Sequence, residues 1–176
     1  MGLDQSKIEV LISKDEIAKK IQEIGKKISA DYKGQEVVCV CILKGSVIFF
    51  ADLVRALDLP VEFDFIRVSS YGNQLTSSGD VKITKDLSGS IKDKHVLVIE
   101  DIVDTGITLS FLLELFQSRG PKSVKLATLL HKPANKIKDV KIDYLGFTID
   151  NHFVVGYGLD AAEKYRNLDF VGIYKT

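Results

Sequence analysis

The chain has 176 residues, of which 45% are hydrophobic, and its 24 basic side chains balance its 24 acidic ones. This length and apolar content suffice for one filled hydrophobic core, so we expect a single domain over residues 1–176. The even charge argues against binding to nucleic acid or to an anionic membrane surface. No apolar run is long enough to span a membrane, and an apolar signal core is missing at the start, so we expect a cytoplasmic protein.

The first part of the chain alternates between helical and extended patterns. Ser13 and Glu16 form a capping-box pattern, and isoleucines follow at helical spacing, which predicts a helix. A continuous apolar run then predicts a strand that is buried on both faces, ended by Lys44-Gly45-Ser46. In chain order, the predicted elements are a helix from Ser13, a strand over 36–43, a helix over 47–57 and a strand over 61–68.

The rest of the chain continues this alternation after one long polar stretch. From Ser69 to about Lys82 the sequence is rich in Ser, Gly, Asn and Thr, which predicts a functional loop such as a lid. A strand over 95–100 precedes a helix from about Thr105, and Gly120-Pro121 ends that helix. Further strands are predicted over 124–130, 144–149, 153–155 and 170–174. The whole pattern predicts an α/β fold with a largely parallel sheet.

The segment over residues 96–108 has the features of a phosphate and sugar site. Glu100 and Asp101 stand at the end of the predicted strand, and their oxygens suit sugar hydroxyls or a hydrated Mg²⁺. A short turn then enters a helix, whose free N–H groups and dipole attract phosphate. Glycine allows a close approach of the backbone, and threonine hydroxyls donate hydrogen bonds. The residues of this turn are Asp104, Thr105, Gly106 and Thr108. Together these features are what a ribose 5-phosphate needs.

Residues 98–108, VIEDIVDTGIT, closely resemble the phosphoribosyl pyrophosphate signature of type I phosphoribosyltransferases. Other segments narrow the resemblance to the hypoxanthine-guanine phosphoribosyltransferases, and the match runs in family order from about Ile42 to Phe170. The family's first active-site loop resembles residues 42–46 and 49–53 of this chain. Its mobile loop resembles residues 64–67 and 69–72, and its base-binding segment resembles residues 153–160.

This resemblance implies both a fold and a reaction. The fold is the Rossmann-like type I phosphoribosyltransferase fold: a mostly parallel central sheet flanked by helices, with a small hood built from segments near both termini. The reaction is transfer of the 5-phosphoribosyl group from phosphoribosyl pyrophosphate to a 6-oxopurine, hypoxanthine or guanine, giving IMP or GMP and pyrophosphate in purine salvage. By analogy with relatives we also expect a homodimer or homotetramer.

For the phosphoribosyl group, the resemblance implies that Asp104 accepts a proton at purine N7 as the base attacks. Glu100 and Asp101 hold the ribose hydroxyls and serve as metal ligands, and Asp160 coordinates the Mg²⁺ that bridges the pyrophosphate. Ile107 occupies a position where some relatives carry a lysine, and we expect its contact to come from the backbone. The residues implied to hold the 5-phosphate are Thr105, Gly106, Ile107 and Thr108.

For the purine, the resemblance implies that Lys141 donates to the 6-oxo group, which would favour oxo over amino bases. Phe153 stacks on the base face, and the backbone of Val154 reads the purine edge. Taken without the resemblance, Lys141 belongs to a lysine-rich stretch in which a solvated surface lysine is the default, and Phe153 is as readily a core residue.

For the pyrophosphate, the resemblance implies main-chain contacts from Lys44 and Gly45 and a grip from Arg166. It also implies a cis peptide bond between Leu43 and Lys44. The lid residues, Ser70 and Tyr71, would close over the site and exclude water.

Three alternatives stay open. The first is a phosphoribosyltransferase that prefers xanthine, since one donor or acceptor near Val154 or Asp160 would shift the preference at the purine 2-position. The second is a regulator with this fold that binds RNA, against which the balanced charge argues. The third is a nucleotide-binding module without catalysis, which the presence of both Asp104 and Lys141 disfavours.

Overall fold

A computed structural model of the chain describes residues 6–70 and 81–175. They form a six-stranded sheet with helices on both faces and a separate three-stranded sheet, which we call the hood. The order of the large sheet is β4-β3-β2-β5-β6-β7, and that of the hood is β1-β9-β8. The elements are β1 Ile8–Ile12, α1 Lys14–Asp31, β2 Val37–Leu43, α2 Val47–Arg55, β3 Val61–Ser70, β4 Val81–Lys85, β5 His95–Val103, α3 Ile107–Ser118, β6 Ser123–His131, a 3₁₀ turn Pro133–Asn135, β7 Tyr144–Thr148, β8 Val154–Val155 and β9 Val171–Tyr174.

Helix α1 begins where the sequence predicts. The Ser13 hydroxyl accepts a hydrogen bond from the Glu16 N–H, and the Glu16 carboxylate accepts from the Ser13 N–H at 2.8 Å, so the predicted capping box is confirmed. The isoleucine face of the helix packs into the core between the helix and the sheet. The buried isoleucines of this face are Ile17, Ile21, Ile24 and Ile28.

The large sheet is parallel from β3 through β7, and only β4 runs antiparallel to its neighbour. Strand β2 lies between β3 and β5 and is buried along nearly its whole length, as its unbroken apolar run predicts. One hydrophobic cluster fills the face under α1 and α2, and a second fills the face under α3. The predicted α/β fold class with a mostly parallel sheet is confirmed.

Strand β5 is longer than predicted. It runs to Val103, because its pairing with β6 continues as far as Val103↔His131. Glu100 and Asp101 therefore lie within the last residues of β5 rather than beyond its end. Helix α3 begins at Ile107, two residues later than predicted.

The predicted polar loop over 69–82 is shorter than expected at both ends. Strand β3 continues to Ser70 and pairs with β4, with partners Ser69↔Lys82 and Ser70↔Val81. Backbone pairing at the sheet edge therefore overrides the polar composition of these residues. The centre of the predicted loop lies outside the described residues.

The hood joins segments that are far apart in the sequence. Strand β9 pairs antiparallel with β1 on one side and with β8 on the other. The hood thus consists of strands from both ends of the described chain. None of the helices in the described ranges is both long and apolar enough to cross a membrane.

Candidate active site

The turn that follows β5 lies at the carboxyl edge of the parallel sheet, where ligands bind in open α/β folds. Asp104 is the first residue after the strand, and its Oδ1 is buried with no hydrogen-bond partner among the described residues. The backbone carbonyl of Thr105 accepts hydrogen bonds from the N–H groups of Ile137 (3.0 Å) and Lys138 (2.9 Å). The turn is therefore held from outside, while an acceptor oxygen of Asp104 is left unused.

The start of α3 is built around Gly106. Its φ is +78°, a left-handed conformation that favours glycine, and a Cβ there would overlap the backbone carbonyl of Lys138. The glycine is thus required by its own backbone and by the segment packed on it, in addition to any close approach of a phosphate. Gly106 supplies no side-chain cap, Thr105 Oγ1 accepts only a long hydrogen bond of 3.5 Å from the Ile107 N–H, and the first turn, which contains Thr108, carries no acidic residue. This end of α3 is open to an anion.

Glu100 and Asp101 form a buried acidic pair beside this turn. Burial first, and the neighbouring Asp101 second, raise the pKa of Glu100 well above its usual value. Burial also raises the pKa of Asp101 to about 6, although the Ile102 N–H, which donates to its Oδ1 at 2.7 Å, and the Arg166 charge act in the opposite direction. Because burial disfavours the charged forms of these two carboxyls, a bound cation or hydroxyl donors would stabilise them.

The donor chemistry of this pair fits Mg²⁺. Glu100 Oε2 is buried and has no partner among the described residues, and hard cations of this kind prefer carboxylate oxygens. The Asp160 carboxylate, by contrast, is engaged: Oδ1 contacts Arg166 at 2.7 Å and Oδ2 accepts the Glu163 N–H at 2.8 Å. Within residues 6–70 and 81–175, no three His, Cys, Asp or Glu side chains converge as a metal site. Mg²⁺ is commonly held by one or two carboxylates together with substrate phosphates, which needs no such cluster.

The Lys44-Gly45-Ser46 loop follows β2 at the same edge of the sheet, and the Leu43–Lys44 peptide bond is cis, as expected. Gly45 is enclosed on two sides. A Cβ on it would overlap Asp101 Oδ2, and a Cβ on Gly158 would overlap the Gly45 carbonyl oxygen. The loop is therefore packed between the acidic pair and the base of the hood, with no space for a side chain at either glycine.

Arg166 and Lys44 are brought together by an acidic residue. Arg166 donates to the carbonyl of Gly158 at 2.8 Å and lies 3.4 Å from the Glu163 carboxylate, which also pairs with Lys44 at 3.0 Å. The Glu163 side chain is 65% exposed. Glu163 thus lies between the Lys44 ammonium and Arg166, the arginine that the resemblance assigns to pyrophosphate.

Phe153 and Val154 lie where the chain enters the hood. Val154 is buried in β8, whereas Phe153 is 54% exposed although it is a large aromatic side chain. The backbone carbonyl of Phe153 accepts a hydrogen bond from the Tyr174 N–H at 2.9 Å. Phe153 is therefore not a core residue, and its ring is available to a planar ligand.

Lys141 is not brought together with the other predicted site residues. Its side chain is 86% exposed and pairs with Asp143 at 2.9 Å, and the Asp143 N–H bonds to the carbonyl of Leu126 in the middle of β6. The carboxyl end of β6, at His131, is five residues further on, a separation of roughly 16 Å along a strand. Lys141 therefore stands away from the edge that carries Asp104.

A different lysine, Lys132, stands at that edge. It follows the last residue of β6, its N–H donates to the Val103 carbonyl at 2.9 Å, and the residue is only 7% exposed. Its ammonium has neither a hydrogen bond nor an ion pair among the described residues. The stem of the lysine is therefore buried while its ammonium has no partner in the described part of the chain, which makes Lys132 a candidate ligand group. The signal for it in the sequence is a single lysine placed directly after the apolar strand.

The two lid residues are only partly covered by the structure. The backbone of Ser70 belongs to β3, and Tyr71 lies outside the described residues. The role of both stays a prediction.

Comparison with known proteins gives the family. The model of the family described as "Phosphoribosyl transferase domain" matches residues 11–162. The chain belongs to this family. It is 49% identical, over 166 residues, to the hypoxanthine-guanine phosphoribosyltransferase of Bacillus subtilis, a match that covers 94% of this chain and 92% of that protein. It is also 52% identical over 166 residues to a bifunctional protein, TilS/HprT, of Listeria monocytogenes, and there it spans only 26% of the relative's length.

Solved members of the family share the fold described above. A hypoxanthine phosphoribosyltransferase from Staphylococcus aureus superposes with a TM-score of 0.94 at 45% identity, covering 97% of this chain and 94% of that one. A hypoxanthine phosphoribosyl transferase from Trypanosoma cruzi gives a TM-score of 0.93 at 40% identity, with 99% and 95% covered. The latter was solved to study the role of its C-terminal region in oligomeric state and enzymatic activity.

Proposed function

We propose that this protein transfers the 5-phosphoribosyl group from phosphoribosyl pyrophosphate to a 6-oxopurine, hypoxanthine or guanine, and so forms IMP or GMP and pyrophosphate in purine salvage. The observation that carries the proposal is the turn after β5. There the unpartnered Oδ1 of Asp104 lies at the start of α3, and the buried residue Lys132 donates its N–H to the carbonyl of Val103, which precedes Asp104. A proton acceptor, a phosphate site and a cation thus stand at one edge of the sheet.

In the proposed reaction, purine N9 forms a bond to the anomeric carbon of the ribose while the bond from that carbon to the pyrophosphate oxygen breaks. Asp104 accepts the proton that leaves purine N7, because its Oδ1 is a carboxylate oxygen without another partner among the described residues. The N–H groups at the start of α3, together with Thr105, Gly106, Ile107 and Thr108, hold the 5-phosphate so that the ribose cannot shift during the displacement.

We assign the purine 6-oxo contact to Lys132 in place of Lys141. An ammonium without a partner among the described residues gains a hydrogen bond from an oxo acceptor, whereas the 6-amino group of adenine would leave it unpaired. Phe153 offers its exposed ring to the base face, and the backbone of Val154 reads the edge. The Asn135 side chain, three residues after Lys132, donates to that of Asn151 at 2.9 Å, which ties the lysine's segment to the one leading to Phe153.

On the pyrophosphate side, Lys44 and Gly45 offer main-chain groups and Arg166 offers its guanidinium. Mg²⁺ would neutralise charge on the leaving group. Glu100 and Asp101 would hold it together with substrate oxygens, and Asp160 would join them when Arg166 releases its carboxylate. Ser70 and Tyr71 would exclude water from the closed site.

We further propose that the protein acts in the cytoplasm as a homodimer or homotetramer. The exposed apolar side chains of Val47 and Ile48 on α2 and of Phe63 on β3 would suit a subunit contact. Sedimentation of the purified chain would decide: a monomer at micromolar concentration would contradict this part of the proposal.

The activity is tested by nucleotide formation from phosphoribosyl pyrophosphate and Mg²⁺, with hypoxanthine, guanine, xanthine, adenine and uracil offered separately. We expect turnover of hypoxanthine or guanine and none of adenine or uracil. Turnover of xanthine alone would retain the reaction and change the substrate. If no base reacts although phosphoribosyl pyrophosphate binds, the proposal is wrong, and a salt-dependent RNA shift assay would then test the regulator.

A further inference from the structure

The exposed ring of Phe153 rests on a second aromatic side chain. Tyr174, in β9, contacts Phe153 edge to face, with 6.1 Å between ring centroids and 83° between ring planes. The same two residues are joined by the hydrogen bond from the Tyr174 N–H to the Phe153 carbonyl. The Phe153 ring is thus supported by Tyr174 of the hood, and its exposed part remains open to a ligand.

Tyr174 itself contacts a third aromatic ring. The Tyr165 ring lies 5.6 Å from the Tyr174 ring at an interplanar angle of 51°. Tyr165 immediately precedes Arg166, the predicted pyrophosphate ligand. Contacts between the three rings thus connect the predicted purine site, through β9, to the segment that carries the predicted pyrophosphate ligand.

We propose that Tyr174 is a positioning residue for the purine, and that it acts through Phe153 without touching the substrate. This inference rests on the proposed function, because it takes Phe153 to stack on the base. It adds a residue of the last strand to the determinants of purine affinity.

The physical reason is preorganisation. A phenylalanine that is 54% exposed would rotate freely if nothing supported it, and stacking on a base would then require its ordering at the moment of binding. An edge-to-face contact favours one orientation of the ring before the substrate arrives. Tyr165 extends the support, since its ring also contacts the Tyr174 ring.

The experiment compares Tyr174→Leu, Tyr174→Phe and Tyr165→Leu with the wild type in steady-state assays that vary hypoxanthine and phosphoribosyl pyrophosphate separately. Loss of one aromatic pair should raise KM for the purine about three- to tenfold in Tyr174→Leu, with KM for phosphoribosyl pyrophosphate and kcat within about twofold of wild type. Tyr174→Phe keeps the ring and should restore most of the affinity for the purine. Tyr165→Leu should change KM for the purine in the same direction but less. Phe111→Leu, an exposed aromatic on α3, serves as the control for loss of an aromatic elsewhere.

An unchanged KM for the purine in Tyr174→Leu would overturn the inference. So would equal increases in both KM values together with a lower kcat, which would indicate a general loosening of the hood. If Tyr174→Leu does not fold, as judged by thermal unfolding, the comparison of Tyr165→Leu with wild type decides by the same two criteria. These results differ from failure of the proposed function, which would show as an inactive wild type.

Discussion

Replacement of Lys132 by methionine should abolish the preference for 6-oxopurines, whereas the same replacement of Lys141 should not. Lys132 is 7% exposed and its ammonium has no partner among the described residues, so a 6-oxo acceptor would replace solvent as its hydrogen-bond partner. Hydrogen bonds to charged groups contribute about 1.5–3 kcal/mol. That range corresponds to a loss of about ten- to a hundredfold in kcat/KM for hypoxanthine.

Lys141→Met is the matched control. The Lys141 side chain is 86% exposed, and its pair with Asp143 is the kind of surface contact that contributes little. We expect kcat/KM to stay within about twofold of wild type. The assay is nucleotide formation with hypoxanthine and with adenine for each variant, after thermal unfolding has established that both variants fold. A large loss in Lys141→Met with normal activity in Lys132→Met would refute the assignment.

Three further predictions concern the other side of the site. Gly45→Ala places a Cβ onto Asp101 Oδ2, so kcat/KM for phosphoribosyl pyrophosphate should fall by about a hundredfold or more. Gly89→Ala is the control, because a Cβ there meets no atom within 4 Å, and this variant should keep its activity. Equal rates in the two variants would contradict the close packing of Gly45 on Asp101. Glu163→Gln removes the charge of an exposed partner of Arg166 and should tighten pyrophosphate binding about two- to fivefold in a product-inhibition assay. Weaker binding would show that the Glu163 carboxylate assists pyrophosphate binding instead of competing with it. Asp101→Asn tests the raised pKa: burial favours the protonated carboxyl in the folded state, so the wild type has a stability contribution below the unfolded pKa and loses it as pH rises through about 6. Urea unfolding without Mg²⁺ should therefore show the Asn variant gaining stability relative to wild type from about pH 4 to about pH 7, and a difference that is independent of pH would refute the buried-charge argument.

The parts of the site that are contiguous in the sequence could be predicted from it. Glu100, Asp101 and Asp104 follow one another at the end of an apolar strand, and the local pattern of strand, turn and helix is enough to place them at a sheet edge. The capping box at Ser13 is local in the same sense, and its helix begins where expected. The alternation of elements was likewise enough to predict the fold class.

What the sequence could not separate were the two lysines. Lys132 and Lys141 belong to the same lysine-rich stretch, and which of them reaches the site depends on the register of β7 against β6. That register pairs Tyr144 with Ala127, so Lys141 is level with the first part of β6 rather than with its carboxyl end. Register between strands is a long-range property that the spacing within one segment does not reveal.

Other features depend on contacts between distant segments. Glu163 lies between Lys44 and Arg166 only because the chain after β8 folds back onto the loop after β2, where Gly158 meets Gly45. The Phe153–Tyr174 contact depends in the same way on the pairing of β8 with β9. Composition and periodicity carry no information about such contacts.

The role of Asp104 as proton acceptor in phosphoribosyl transfer is tested most directly by a single-turnover experiment. It measures the rate of IMP formation by the wild type and by Asp104→Asn, with hypoxanthine, phosphoribosyl pyrophosphate and Mg²⁺ all saturating. Asparagine keeps the size of the side chain and removes the proton acceptor. The account predicts IMP formation by the wild type and a rate about a hundred- to ten-thousandfold lower in the variant, with binding of phosphoribosyl pyrophosphate retained. Equal rates in the two proteins would contradict the claim that Asp104 takes the proton in phosphoribosyl transfer.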